Sequence, residues 1–276
     1  MIAPAFLLLL LGGGFVAATL ASVTGFGGAA ILLPITVAVF GVREAIPILT
    51  IAQLVGNGSR VWFNRRELSL PVTKWFALGG VPSAAVGGVL FASAPVPVLI
   101  RLLGLLLILM VAWRHIPKKR EWPMPLRGFA IVGAISGFLS ALLGSVGPLV
   151  APFFLAYGLL KGAYIGTEAL GAVIMHITKI ATYSRMSVMT LHNVEMGLIL
   201  GPVMILGSLV GKRIVDRIPE KVFVLLVEFT LVIAGMRFLL AGEPRSIETV
   251  RHRNIEIDAR GGPSKSVTRL EPADAP

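Results

Sequence analysis

Apolar residues run through this chain in blocks rather than at intervals. Stretches such as Leu7-Leu8-Leu9-Leu10-Leu11 and Leu102-Leu103-Gly104-Leu105-Leu106-Leu107 are apolar on every side. They lack both the alternation of a half-buried strand and the one-sided stripe of a surface helix. A transmembrane barrel requires strict alternation, so the blocks predict helices. Ten are expected: near 3–24, 28–42, 44–63, 72–92 and 96–114, then near 127–143, 147–160, 162–183, 193–211 and 220–241. A spanning helix takes about 20 residues. The blocks at 28–42 and 147–160 fall short of that, and each follows a glycine break, so they are either re-entrant hairpins or short full spans. The remaining residues, 243–276, are polar, mixed in charge and expected to form a disordered tail.

The two sets of five blocks resemble each other at an offset of about 118 residues, which predicts an internal repeat, about 1–114 and 127–241, within a transmembrane domain of residues 1–242. Gly25-Phe26-Gly27-Gly28 before Pro34 answers Gly144-Ser145-Val146-Gly147 before Pro152. Phe40-Gly41 answers Tyr157-Gly158, and Asn57-x-x-Arg60 answers His176-x-x-Lys179. Five segments per half is an odd number, so the halves must insert with opposite orientation. The expected fold is therefore an all-α, polytopic transmembrane bundle of two inverted repeats, with short helices after the glycine breaks.

Charge fits that topology. With the basic connection (Arg114, His115, Lys118, Lys119, Arg120, Arg127) placed in the cytoplasm, Arg65, Arg66, Lys74, Lys212, Arg213 and Arg217 also fall inside. The uncharged turn at Ser93–Pro97 falls outside, as does the N-terminal run, which has no basic residue before Arg43 and is expected to be a retained membrane segment. Arg185 is the dissenting position.

Composition closes the alternative of a soluble protein. Hydrophobic residues make up 55% and charged residues 14%, with mean hydropathy +0.86. Soluble domains carry about 25% charged residues, so the bilayer must solvate most of this chain. The net charge of +11 lies in short loops and reads as membrane orientation, not nucleic-acid binding. There is no cysteine, hence no disulfide, thiolate metal site or thiol nucleophile. Neither H-E-x-x-H, a P-loop nor G-x-S-x-G occurs, and His176 has no second His or Cys near it in sequence. No enzyme activity, cofactor or metal is expected.

Candidate chemistry sits in two places. A helix restarting after a glycine break exposes N–H groups at the positive end of its dipole, which suits an anion; Gly25, Gly27 and Gly28 in one half and Gly144 and Gly147 in the other are candidates for such a site. Close helix packing through small residues is the alternative. Paired short segments interrupted by glycine and proline also mark the binding site of many transporters. The second place is a polar stripe. Gln53, Asn57, Arg60 and Asn64 share one helix face, as do Glu168, His176, Lys179 and Tyr183. Polar residues in a membrane are costly and face a pathway or a partner. Arg60 and Lys179 could hold an anion, or snorkel to the headgroups from near their segment ends. Asn57 and His176 lie deeper, as hydrogen-bonding neighbours of an anion or as links between helices. Glu168, alone or with His176, and Glu228 are the acids that could carry a proton; structural pairing with Arg or Lys is the alternative.

These motifs resemble the sulfite exporter TauE/SafE family of membrane permeases over residues 5–241. The resemblance rests on Thr24–Pro34, on Leu142–Phe154 and on Ile165-Gly166-Thr167. The family shows a richer glycine run where this chain has Gly144-Ser145-Val146-Gly147-Pro148. The resemblance implies a secondary transporter of the plasma (inner) membrane that moves small sulfur-containing anions such as sulfite or organosulfonates, with export as the expected direction and proton coupling as a further expectation. A passive anion channel and a non-transporting assembly or signalling protein are the alternatives. The expected partners are a small anionic substrate and the lipid bilayer; a homo-oligomer is left open.

Overall fold

The computed structural model describes residues 4–24, 28–115, 124–144 and 146–214, and Met236. Gly25, Gly27, Ser145, Arg217, Glu228, most of the block at 220–241 and the tail at 243–276 lie outside the described residues. Among those described there are nine α-helices and no strand: α1 (Pro4–Thr24), α2 (Gly28–Phe40), α3 (Val42–Phe63), α4 (Leu70–Ser93), α5 (Val96–His115), α6 (Phe129–Leu143, after a short 3-10 turn at Leu126–Gly128), α7 (Gly147–Ala156), α8 (Lys161–Arg185) and α9 (Leu191–Ile214).

Three of these are long and apolar enough to cross a bilayer: Leu70–Ser93, Leu126–Leu143 and Leu191–Arg213. Their outer faces are apolar too, as at Leu78, Val86, Ile131, Ile135 and Leu198, which fits a lipid solvent. The helices that carry the polar stripe, α3 and α8, have 22 and 25 residues, lengths of about 33 and 37 Å. They fall short on hydropathy because their polar residues face inward; more than half of α3 is buried. The short segments remain short. With 13 residues α2 extends about 20 Å, and with 10 residues α7 extends about 15 Å, against about 30 Å of hydrocarbon. The block expected at 147–160 ends early because the chain leaves the helix at Gly158, whose φ is +93°.

Close backbone approaches fix the helix directions. Gly79 packs against Ala130, Gly80 against Gly133 and Gly87 against Phe138, so residue numbers rise together and α4 runs parallel to α6. Phe76 against Gly171, Gly80 against Met175 and Gly88 against Thr182 make α8 parallel to α4. On the other side, Phe15 and Ala18 meet Gly207 and Thr19 meets Gly211, while Ile51 meets Gly197 and Val55 meets Gly201. Thus α1, α3 and α9 share a direction. Across the two groups the order reverses: Asn64 packs against Gly166, Arg60 faces Glu168 and Asn57 touches His176, so α3 and α8 are antiparallel. Helices α7 and α8 begin 119 residues after α2 and α3 (147 against 28, 161 against 42), and α9 begins 121 after α4 (191 against 70). Sequence counterparts therefore run in opposite directions.

The packing repeats as well. The α4–α6 contact of one group has its counterpart in α1–α9, and α4–α8 has its counterpart in α3–α9. Both outer pairs use small residues to bring backbones together. At the ends, Arg43 donates to the last carbonyls of α4, those of Phe91, Ala92 and Ala94, where a cation also meets the negative end of the helix dipole. Lys212 Nζ donates to Phe63 O at the end of α3, 2.7 Å away.

Candidate functional site

Where α3 and α8 cross, the bundle leaves a partly open cavity of about 70 Å³, room for several waters or a small anion. Its walls come from α1, α3, α4, α6, α7, α8 and α9. Four pairs of lining residues stand 119 positions apart: Ala21 and Ser140, Gln53 and Ala172, Gly56 and Met175, Asn57 and His176. The cavity thus lies where each half meets its counterpart. Asn57 and His176 touch, Nδ2 to Nε2 at 3.0 Å.

The polar groups form a chain whose polarity follows from donor inventory. Arg60 has donors only. One guanidinium nitrogen, Nη2, donates to Asn57 Oδ1. The amide oxygen is then taken, so Asn57 presents its Nδ2–H to His176 Nε2, which must accept. A neutral imidazole accepting at Nε2 carries its proton at Nδ1. That Nδ1 is buried and has no protein partner, although the residue is only 3% exposed. His176 therefore offers a N–H donor beside the cavity. At the other end of the chain, Arg60 Nη1 lies 3.6 Å from Glu168 Oε2, an ion pair too long to be a hydrogen bond. No donor is bonded to that carboxylate oxygen. Tyr164, one turn earlier on α8, has a buried hydroxyl without a partner.

The two cations are anchored alike. Arg60 Nη1 donates to Ala21 O at 3.3 Å, and Lys179 Nζ to Ser140 O at 3.4 Å; Ala21 and Ser140 are themselves counterparts. Each cation thus ties its helix to the carbonyl four residues before a glycine break. Both are buried, Arg60 at 8% and Lys179 at 0% exposure, so neither reaches the headgroups and the snorkelling alternative is set aside. They differ in access. Arg60 lines the cavity, whereas Lys179 sits behind Ser140, which also accepts through Oγ at 3.2 Å.

The second glycine break borders the cavity through Gly144, Val146 and Gly147. Gly144 caps α6 with φ +93°, a conformation that costs an L-residue strain. Gly147 then opens α7 with no side chain capping its N-terminus; Pro148 has no N–H and Leu149 N–H donates to Val146 O at 2.9 Å, so this end offers an anion the positive end of the helix dipole and few free N–H groups. In the first half Gly28 opens α2; Gly25 and Gly27 lie outside the described residues. The structure therefore gathers Asn57, Arg60, Gly144, Gly147, His176 and Glu168 around one space, and puts Lys179 one hydrogen bond behind it. Asn64 turns away and donates to Arg60 O at 2.8 Å. Sequence reasoning missed Ser136 and Ser140 on the wall. Their i, i+4 spacing on an otherwise apolar helix was the available signal. Among the described residues no group of three or more His, Cys, Asp or Glu could hold a metal.

Comparison with known proteins gives one match. The model of the Sulfite exporter TauE/SafE family matches residues 10–238, most of the chain, and the protein belongs to that family of membrane transporters. No curated protein and no solved structure matches it.

Proposed function

We propose that this protein is a secondary permease of the plasma membrane, built of two inverted repeats, that exports small sulfur-containing anions such as sulfite or an organosulfonate through the cavity between α3 and α8. The observation that carries this reading is that one small cavity in the bundle brings together a cation, Arg60, a neutral N–H donor, His176, and the positive end of the α7 dipole. Each favours an oxyanion, and the volume excludes a large ligand. In the first half Gly28 opens α2, and Gly25 and Gly27, just before it in sequence, are assigned the same role. Lys179 supports the site by holding Ser140. Two antiparallel groups of helices meeting at this space give the geometry for alternating access, one repeat rocking against the other. Proton coupling through Glu168 or His176 is part of the same proposal. No catalytic constellation surrounds the cavity, so transport without chemical conversion is the activity proposed.

Flux of labelled sulfite and of a small sulfonate into proteoliposomes tests it, with Arg60→Ala and Lys179→Ala beside the parent. Saturable flux in the parent is expected. Arg60→Ala should lower it about ten-fold or more, since a hydrogen bond to a charged group contributes about 1.5–3 kcal/mol. Lys179→Ala should lower it less, because that cation is not on the wall. Absence of saturable flux for every sulfur oxyanion tested in the parent would sink the substrate class.

A further inference from the structure

The Arg60–Glu168 pair spans the two halves, yet it is only half made. The oxygen nearest the guanidinium stands at 3.6 Å and has no hydrogen bond. Glu168 is the one acid lining the cavity among the described residues, and Arg60 the one cation. The repeat does not demand this acid. The counterpart of Glu168, 119 residues earlier, is Leu49, and the counterpart cation Lys179 bonds to Ser140 with no carboxylate. The acid is thus present in one half only, at the one cation that faces the cavity among the described residues.

We propose that Glu168 occupies the place of the transported anion: in the empty protein it is the counter-ion of Arg60, and a bound monoanion replaces it there while Glu168 takes up one proton. This rests on the reading of the cavity as an anion site and names how that site couples to protons. The exchange balances. Arg60⁺ paired with the Glu168 carboxylate, plus A⁻ and H⁺, becomes Arg60⁺ paired with A⁻ beside a neutral Glu168 carboxylic acid. Both end states carry the same net charge. The two mixed states, an anion beside an ionised Glu168 or a protonated Glu168 with no anion, each change the net charge of the site by one unit inside the bundle, which is disfavoured. Only the empty pair and the doubly loaded state are then free to interconvert across the membrane, so one proton accompanies each monoanion in the same direction.

The groups facing Glu168 are consistent with this exchange. Arg60 comes from α3. On α8 itself Tyr164, with its unpartnered hydroxyl, is one turn away, His176 lies two turns further on, and Lys179 is turned toward Ser140. Helices α1, α4, α6, α7 and α9 bring no charged side chain to the wall.

The test is calorimetric binding of sulfite to the purified full-length protein in two buffers of different ionisation heat, which counts protons taken up per anion. The parent should take up about one proton more than Glu168→Gln, because protonation of sulfite itself cancels in the difference. Glu168→Gln should also bind without proton uptake of its own and should exchange sulfite for sulfite in proteoliposomes while losing net flux, because its empty form is one of the two mixed states. An equal proton count in parent and variant overturns the exchange while leaving the anion site standing. A parent that neither binds nor transports sulfite overturns both this inference and the proposed function. If Glu168→Gln does not fold, methanesulfonate, which has no titratable proton, gives the count on the parent alone: about one proton per anion is expected, and none overturns the exchange.

Discussion

Gly133 to alanine is the perturbation whose cost the structure specifies best. A Cβ built on Gly133 would lie 2.0 Å from Phe76 O and 3.0 Å from Phe76 Cα. Ordinary van der Waals contact begins near 3.4 Å, so the clash with the carbonyl is about 1.4 Å (3.4 minus 2.0). The obstructing atom is backbone in the middle of α4, and no side-chain rotation relieves it. Helices α4 and α6 must separate or slide, and the neighbouring approaches at Gly79, Gly80 and Gly137 open with them. Overpacking a tight site typically costs about 1–3 kcal/mol, occasionally more, and here the relaxed contact runs along a whole helix pair, so the upper part of that range is expected. Gly58→Ala is the control. A Cβ there meets nothing within 4 Å, and helix propensity then favours alanine by up to about 1 kcal/mol. Thermal unfolding in detergent, followed by size-exclusion chromatography after heating, reads both. Gly133→Ala should lower the transition clearly while Gly58→Ala leaves it level or raises it. If Gly133→Ala unfolds with the parent, the close α4–α6 approach is wrong, and with it the parallel register that places α8 against α3.

Two further substitutions address the site. Asn57→Ala deletes both links of the Arg60–Asn57–His176 chain; interhelical hydrogen bonds in membranes contribute about 0.6 kcal/mol on average, so stability should fall by only about 1–2 kcal/mol, yet sulfite flux should drop about ten-fold as His176 loses its fixed tautomer. Unchanged flux in a folded Asn57→Ala protein would remove His176 as an oriented donor. Gly144→Ala places a Cβ on a residue at φ +93° and 3.2 Å from Leu33 Cδ1; strain of about 1–3 kcal/mol should destabilise the turn into α7 and abolish most flux, measured in proteoliposomes beside a melting curve, and a fully active variant would show that the break is only a connection.

Much of this architecture was legible because its signals are local. An apolar run of given length predicts a helix without reference to its neighbours, and the helices begin and end within a few residues of the blocks, apart from the early exit at Gly158. The polar stripes on α3 and α8 follow from the helical period alone. So do the glycine breaks, of which Gly144 has the positive φ that glycine accommodates. The family was readable from the same breaks.

What the sequence could not decide was which polar group each residue faces. Arg60 and Lys179 look equivalent, both near segment ends and both spaced three residues from a polar partner. Only the fold turns one toward a cavity and the other against Ser140. Glu168 lies 108 residues from Arg60 (168 minus 60), and nothing in the period of either helix points one at the other. A helical repeat determines a face; the crossing of two helices determines which faces meet. At that crossing Gly166 lets α8 approach Asn64 of α3, while Gly171 lets α8 approach α4 and Gly197 lets α9 approach α3. Desolvation then favours a partner for a buried polar group, and whether Arg60 or Lys179 finds its partner on the cavity wall or behind it is a property of the assembled bundle, not of the chain.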